Sequence, residues 1–306
     1  MLLTEVKGEN KCQKKFQLTP EQVANLEEVW GKKTQASEEL KELLGQQPEE
    51  PSVEAKDLIT FEKREWQKVL GIDIEIQPLP QVITPEVRQN LERFGFELRF
   101  IPALDLKPQS LNKKKVGEYL AELVKSYPNW RGYETLSDRE RQDHTVVRNL
   151  RERYWEQVKD GRVDFPELPG FWIAVETMEK PSYGQKYPHS PFTDKLDFSD
   201  RFSVSWNDAT GAINRAKLEF LSRVGLEGQA DVRLLEAIEW NLLANREGWG
   251  QTNTWEWTNT EYREAGGSDR LIVGDSDGGG AAGVLWNRPG GAGDGVGFRV
   301  AVEIGS

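Results

Sequence analysis

The chain has 306 residues, and its formal net charge of −11 argues against a nucleic-acid partner, which would need a basic face. Its one cysteine, Cys12, excludes internal disulfides and a cysteine-pair metal site. No apolar run is long enough to span a membrane and the N-terminus lacks a signal-peptide pattern. We therefore expect no membrane segment and synthesis in the cytoplasm, and leave a cell surface or a virion open as the final location.

Residues 1–58 are predicted to form a helical N-terminal extension or linker. Thr19–Gln22 is typical of a helix start, with Pro in the first turn, and apolar residues then recur at helical spacing as far as Gly31. A second short helix is predicted over Ser37–Leu44, and the Pro- and Glu-rich stretch Gln46–Val53 reads as a linker. The pattern leaves open a docked pair of helices and a partly ordered tail.

The remainder, 59–306, is predicted to form one domain of mixed elements. The predicted helices cover Ile59–Leu70, Thr84–Phe94, Asn112–Ser126, Ser137–Lys159, Asn207–Val224 and Arg233–Asn245. The predicted strands cover Ile72–Ile76, Phe96–Ile101, Phe171–Thr177, Phe202–Trp206, Thr252–Thr258 and Phe298–Ile304. Because no strand–helix unit repeats, the order predicts an α+β fold and not a doubly wound sheet. Tryptophans crowd the second half, which favours a packed core over a binding surface.

A glycine-rich insert lies near the end of the chain, over Gly274–Gly297. Ten of its 24 residues are glycine, Trp286 is its one aromatic residue, and Lys, Glu, Gln and Met are absent from it. Apolar residues Leu271–Val273 precede it and the predicted strand Phe298–Ile304 follows it. Glycine loses more backbone entropy on folding than any other residue, so we expect a surface loop held rigidly at both ends.

Two familiar glycine-rich sites do not fit this insert. A calcium hand starting at Asp275 would place Gly279 and Trp286 where oxygen ligands are needed, so we assign the aspartates to turn support. A dinucleotide site needs a helix directly after its glycines, whereas a strand is predicted after Gly290–Gly297. The chain also lacks a Gly-Lys-Ser/Thr phosphate loop. The insert therefore carries no predicted metal or phosphate site.

No catalytic constellation emerges from the remaining polar residues. The two histidines, His144 and His189, have no nearby cysteine and form no two-histidine zinc motif. Glu236 and Glu239 could serve as paired carboxylates, but on a helix flank they are more typical of ion-pair or capping partners. We predict no catalytic residue, no resident metal and no cofactor.

Four ordered motifs carry a resemblance to a known group of proteins. Val204–Ala209, Arg233–Gly248, Asn253–Thr258 and Gly297–Arg299 resemble, in this order, the motifs of formylglycine-generating-enzyme-like domains. The resemblance spans about residues 165–303. It implies a C-type lectin-like fold of the formylglycine-generating-enzyme-like subclass, preceded here by the helical extension.

The resemblance does not extend to the enzymatic residues. Enzymatic members use cysteines close to the terminal Gly-Phe-Arg, whereas Val300 follows Arg299 here and Cys12 is far away. Some members hold calcium through the Asn that Asn253 matches, but their other ligands cannot be aligned with this chain, and a structural calcium is left open. The resemblance therefore implies the fold and not the activity.

A narrower resemblance covers the last quarter of the chain. Trp255–Thr258, the stretch Arg270–Ala282 and the terminal Gly297–Glu303 resemble the variable proteins of diversity-generating retroelements, most closely the archaeal type. In that family a reverse transcriptase mutates adenines of a template and so rewrites Asn codons. These changes cannot produce Lys, Glu, Gln, Met or Trp, and the insert lacks all of them except Trp286. An ordinary glycine-rich loop that avoids these residues is the alternative.

The resemblance divides the region of about 270–297 into ligand-binding and scaffold positions. We predict the variable, ligand-binding positions to be Gly278, Gly283, Leu285, Arg288, Gly290, Gly291, Gly293, Asp294 and Gly295. We predict the scaffold to include Trp206, Trp240, Trp255, Trp257, Trp286 and Phe298, together with Ile272, Val273, Ala281 and Val296. In this copy, Leu285, Arg288 and Asp294 would supply most of the binding chemistry.

The sequence therefore predicts a non-enzymatic display protein that binds an unknown protein or surface ligand. Strands Phe96–Ile101 and Phe298–Ile304 are expected to lie side by side, and the glycine-rich face to lie on the side of the Trp-Glu-Trp strand. Two alternatives stay open: a formylglycine-generating-type enzyme relative with altered metal chemistry, and a structural attachment component assembled through residues 1–58. The oligomeric state is left open.

Overall fold

A computed structural model describes residues 53–130, 152–178, 192, 202–247, 249, 254–264, 267–274 and 283–305. All of them belong to one compact unit, Pro51–Ser306. Several predicted features lie outside the described residues, namely the helices before residue 53, Ser137–Arg151, Cys12, His144, His189, Asn253, Asp275, Gly278, Gly279 and Ala281.

The architecture is α+β, as predicted, with two four-stranded sheets. The described helices are α1 (Val53–Leu70), α2 (Pro85–Arg93), α3 (Pro108–Lys113), α4 (Val116–Ser126), α5 (Glu152–Lys159), α6 (Trp206–Val224) and α7 (Ala237–Glu247). The described strands are β1 (Phe96–Ile101), β2 (Phe171–Glu176), β3 (Ala230–Leu234), β4 (Trp255–Glu264), β5 (Gly267–Gly274), β6 (Gly283–Asn287), β7 (Val296–Phe298) and β8 (Val300–Ile304).

The first sheet has the strand order β1-β2-β8-β3, and every neighbouring pair is antiparallel. The predicted pairing of the first and last strands is therefore wrong, because β2 lies between them. The burial pattern gives the reason. Strand β2 is apolar on both faces, with Trp172 and Ile173 contacting different hydrophobic clusters, so it occupies a central position. Strand β1 carries the exposed Glu97 and is an edge strand.

The second sheet has the order β6-β5-β4-β7. Strands β4, β5 and β6 pair antiparallel, whereas β7 runs parallel to β4. The expectation that the insert is a loop throughout is wrong, because Gly283–Asn287 forms β6. The physical reason is the alternation within that strand, which buries Val284 and packs Trp286 against the same cluster as Leu271 of β5.

Two predicted helices are divided differently in the structure. The stretch predicted as Arg233–Asn245 begins as strand β3, and helix α7 starts only at Ala237. Strand β3 forms because Val232 and Leu234 face the core while Arg233 bonds to carboxylates outside it. The stretch Asn112–Ser126 is interrupted after α3 by the extended backbone of Lys114.

Two predicted strands are absent from the structure. Residues Ile72–Ile76 form no strand, consistent with the prolines that follow at 78 and 80. Phe202–Trp206 is also not a strand, because Ser203 has a left-handed φ of 60° and Ser205 caps the following helix. The Ser205 side chain accepts a hydrogen bond from the Asp208 backbone at 3.1 Å, so the cap lies before the predicted Asn207 or Asp208.

The tryptophans mainly fill the core. Trp66, Trp130, Trp155 and Trp257 are among the largest fully buried side chains, in agreement with the packed-core interpretation. Each hydrophobic cluster contacts one face of the first sheet, and side chains of the second sheet contribute to both clusters. Each of the two faces of the second sheet thus packs against one of the hydrophobic clusters. Strand β6 is left as an edge of this sheet.

Candidate binding face at the edge of the second sheet

Most of the predicted variable positions lie on strand β6 or in the segment that connects β6 to β7, together here called the display edge. The display edge comprises Gly283, Leu285, Arg288, Gly290, Gly291, Gly293, Asp294 and Gly295. Leu285 is 40% exposed on strand β6, and Arg288, Gly290 and Asp294 are also exposed. Strand β4, which carries the Trp-Glu-Trp motif, belongs to the same sheet as β6 and lies between β5 and β7.

Two backbone turns lie within the display edge, and both are anchored. The Gly291 amide donates to the Arg288 carbonyl at 2.8 Å, and the Val296 amide donates to the Gly293 carbonyl at 2.8 Å. The amide of Asn207, at the start of α6, donates to the Pro289 carbonyl at 3.0 Å. Because these bonds use main-chain atoms at the turns, side chains there can change without removing the anchors.

A second anchor joins the display edge to the Trp-Glu-Trp strand. The Trp255 amide donates to the Gly295 carbonyl at 2.7 Å, directly before the parallel pairing of β4 with β7. The backbone of the turn is therefore held on one side by a helix start and on the other by a central strand.

The room for side chains differs among the display glycines. None of Gly290, Gly291 and Gly293 has a left-handed φ, so their backbone conformations do not require glycine. A Cβ at Gly290 would meet its nearest neighbour, an Asn207 side-chain nitrogen, at 3.8 Å. A Cβ at Gly291 would lie 3.0 Å from the Asn287 Oδ1, and one at Gly293 would lie 3.0 Å from the Val296 Cγ2. Gly290 can therefore accept a side chain most easily.

Three indole groups fasten the central strand β4 to other elements. The Trp257 Nε1 donates to the Val204 carbonyl at 2.7 Å, and the Trp206 Nε1 donates to the Thr258 carbonyl at 3.1 Å. The Trp240 Nε1 of α7 donates to the Glu256 carboxylate. Each tryptophan combines burial with one directed hydrogen bond, which fixes the position of β4.

A buried ion pair joins the junction of β7 and β8 to strand β4. Arg299, at the junction of β7 and β8, is 1% exposed, and its guanidinium donates to Glu256 Oε1 at 3.0 Å and Oε2 at 3.3 Å. The same guanidinium donates to the Glu176 and Met178 carbonyls and stacks 3.9 Å above the Trp249 ring. The pair ties the last strands to β4 across a water-excluded interior.

Trp286 holds the edge strand β6 in a layered aromatic contact. Its ring stacks on Tyr262 of β4 with centroids 4.9 Å apart, and the Arg153 guanidinium lies 4.8 Å from the Trp286 centroid. The Tyr262 hydroxyl accepts a hydrogen bond from Arg162 at 3.0 Å. Trp286 thus occupies a structural position within an otherwise glycine-rich segment.

Sequence reasoning missed two residues beside the display edge. Asn207 faces Gly290, and Arg270 lies opposite Asn287 in the β5–β6 register. The Arg270 guanidinium stacks 4.3 Å from the Trp206 centroid. The position of Asn207 at a predicted helix start was a usable signal, whereas nothing local in the sequence indicates the stacking of Arg270.

The carboxylates Glu236 and Glu239 have the structural roles that the sequence favoured. Glu239 accepts a hydrogen bond from the Glu236 amide at 2.8 Å and forms an ion pair with Arg233 at 2.7 Å. Glu236 accepts hydrogen bonds from Asn259 and Thr260 of β4. Together these contacts cap helix α7 and join it to the second sheet.

Within the described ranges, no three His, Cys, Asp or Glu side chains are grouped so as to hold a metal ion. The helices described here include none that is both long and apolar enough to cross a membrane. No protein-family model matches the chain, and neither the curated proteins nor the solved structures provide a match. What the chain does must therefore be inferred from its own residues and geometry.

Proposed function

We propose that the chain is a non-enzymatic ligand-binding display protein whose C-terminal region is rewritten by a retroelement reverse transcriptase. The observation that carries the proposal is that predicted variable positions are exposed on the display edge, whereas predicted scaffold side chains are buried. Arg288 and Gly290 are exposed on turns anchored by main-chain atoms, whereas Trp257 and Phe298 lie in the core below. Such an arrangement lets side chains vary while the backbone that presents them stays fixed.

The proposal includes a C-type lectin-like fold. The family resemblance begins near residue 165, and β2 is the first strand after that point. Strand β2 pairs with the C-terminal strand β8, with Ala174 opposite Val302, so the two ends of the resembling segment meet in one sheet. The tryptophan-rich strand β4 lies in a separate second sheet that carries the insert. Both features support this fold assignment.

The neighbouring DNA provides the direct test of diversification. We expect a reverse transcriptase gene nearby and an imperfect repeat of the codons for Arg270–Val300, with differences concentrated where the repeat has adenines. Copies of the locus from related genomes should differ mainly at display-edge codons. Invariant codons across such copies, together with the absence of both a reverse transcriptase gene and a template repeat, would refute the proposal.

Tolerance of substitution provides an independent test at the protein level. Codons that adenine mutagenesis can produce would be randomised at Leu285, Arg288 and Gly290, and in a control library at Trp257, Ile272 and Phe298. We expect most members of the first library to be soluble and folded, because these positions are exposed or have room. The control library should mostly misfold, since all three side chains are buried. Equal tolerance in both libraries would contradict the proposal.

The copy described here has little side-chain chemistry for binding. Binding energy at protein surfaces usually comes from aromatic residues and arginine, and the display edge offers Leu285, Arg288 and Asp294. We expect the parental chain to bind a model protein such as serum albumin undetectably, and the display-edge library to yield binders after selection. A library without binders, from folded members, would argue against a display role.

A further inference from the structure

A separate cleft lies on the scaffold, and one of its lining residues, Arg270, is also a neighbour of the display edge. It has a volume of about 360 Å³ and is enclosed by the start of α7, strands β4 and β5, helix α5 and the segment Asp164–Glu167. Sites for small ligands commonly have volumes of roughly 300–1,000 Å³. Apart from Arg270, its lining residues precede the proposed variable region. A ligand of this cleft would therefore be shared by all copies.

One buried polar side chain in this cleft lacks a partner. Tyr154 is 1% exposed and lines the cleft, and its hydroxyl makes no hydrogen bond to any described residue. The Trp155 indole nitrogen next to it is sealed from solvent, whereas the Tyr154 oxygen is not among such enclosed atoms. Buried polar groups are nearly always hydrogen-bonded, so a buried hydroxyl that faces a cleft is suited to bind a polar ligand there.

The same hydroxyl lies in a negative environment. Burial, and then the nearby Glu236 carboxylate, raise the pKa of Tyr154, so the hydroxyl stays protonated at neutral pH. A protonated tyrosine oxygen can still accept a hydrogen bond from a cationic donor. The hydroxyl and the carboxylate together can thus hold a positively charged N–H group.

The Glu236 carboxylate has no cationic partner among the residues that the structure describes. Its two oxygens accept hydrogen bonds from the Asn259 side chain at 2.8 Å and the Thr260 hydroxyl at 2.5 Å, which are both neutral. By contrast, the neighbouring Glu239 is neutralised by Arg233 at 2.7 Å. Glu236 is therefore a carboxylate of this cleft whose charge no described cation balances, and it can balance a bound cation.

The other charges around the cleft leave that balance negative. The Arg263 guanidinium neutralises Asp164 through two hydrogen bonds, and Glu167 is exposed without an ion pair in the described part of the chain. The one lining cation, Arg270, donates to the Asn259 carbonyl at 2.9 Å and stacks on Trp206. Among the described residues, its contacts are thus a neutral carbonyl and an indole ring, and its Nε makes no hydrogen bond.

We propose that this cleft binds a protonated primary alkylamine, with the ammonium between the Glu236 carboxylate and the Tyr154 hydroxyl. Phe165 and Ile238 line the same cleft and provide apolar surface for the methylene groups. The amine belongs either to a free diamine or to a lysine side chain of a partner protein, because both present the same alkylammonium group.

Calorimetric titration of the full chain at neutral pH tests the ligand class. The probes are 1,5-diaminopentane, Nα-acetyl-lysine methylamide and its uncharged analogue Nα-acetyl-norleucine methylamide. We expect at least one amine to bind at least tenfold more tightly than the norleucine compound. Tighter binding of the lysine compound would assign the site to a partner's side chain, and tighter binding of the diamine to a free amine. Equal affinities for all three probes would overturn the proposal.

Two variants test the assigned groups. Tyr154→Phe keeps the ring and removes one hydrogen bond, and Glu236→Gln removes the charge; each should weaken amine binding about tenfold. Glu92→Gln, at an exposed position of α2, serves as the control and should keep the wild-type affinity. Thermal unfolding of each variant verifies that it is folded. Wild-type affinity in both folded test variants would refute the site, irrespective of the outcome at the display edge.

Discussion

The buried pair of Arg299 and Glu256 makes the sharpest prediction about stability. In Arg299→Met the guanidinium disappears, and the Glu256 carboxylate, 0% exposed, loses both hydrogen bonds from it while the bond from the Trp240 indole remains. The Glu176 and Met178 carbonyls also lose a donor. Breaking a buried pair in this way typically costs about 3–5 kcal/mol.

That cost is large compared with the free energy of unfolding of a typical domain, about 5–15 kcal/mol. We therefore expect a clear drop in the urea midpoint of Arg299→Met, measured by tryptophan fluorescence and far-UV circular dichroism. Arg288→Met is the matched control, because Arg288 is exposed and has no ion pair within the described residues. Its unfolding free energy should stay within about 0.5 kcal/mol of the parental value.

A double-mutant cycle isolates the electrostatic part of the effect. Glu256→Gln retains an acceptor for Trp240 but needs no counter-charge. The combined variant Arg299→Met with Glu256→Gln should therefore lose less stability than the sum of the single losses, by about 1–3 kcal/mol. A loss below about 1 kcal/mol in Arg299→Met, or strict additivity in the cycle, would refute the role of this pair as the fastening of the last strands.

The remaining predictions concern the display edge and one surface pair. Gly290→Ala should leave the urea midpoint unchanged. Gly293→Ala should destabilise the fold by about 1 kcal/mol, because its Cβ meets a buried valine at 3.0 Å. Equal effects of the two substitutions would contradict the inferred difference in space for a side chain at these positions. Trp286→Leu should destabilise by about 2 kcal/mol through loss of stacking, with a loss near zero as the contrary result. The Arg263 hydrogen bond lowers the pKa of Asp164. Because the folded-state pKa is depressed, this stabilisation is present above about pH 4 and disappears as the pH falls through the lowered pKa. NMR titration should show that pKa rising toward its ordinary value in Arg263→Ala, and an unchanged value would contradict the pairing.

Local sequence patterns predicted much of the secondary structure. Alternation identified β1 and β2 almost to the residue, and the predicted end of α6 at Val224 is confirmed, with Gly225 following in a left-handed φ of 84°. These features depend on residues within one or two turns of each other. The same logic failed at Arg233, because a charged residue between two apolar ones fits a strand as well as a helix until its partners are known.

At the candidate site, too, the sequence predicted some features and failed to predict those that depend on distant residues. Pattern and family resemblance identified Leu285 and Arg288 as exposed positions and Trp286 as a structural one. They did not distinguish Gly290 from Gly293, since the room at each depends on side chains that only folding brings near. The open hydroxyl of Tyr154 was likewise not predictable, because its surroundings come from separate parts of the chain.

The sequence by itself determined the α+β class, the tryptophan-rich core and the glycine-rich character of the C-terminal segment, because composition and short-range periodicity encode which faces are buried. The tertiary structure decided that β2 separates the first and last strands, that Glu256 and Arg299 meet across 43 positions, and that the insert contains strand β6. Those outcomes depend on contacts between apolar faces, and between charges, that lie far apart in the sequence. No local pattern contains that information.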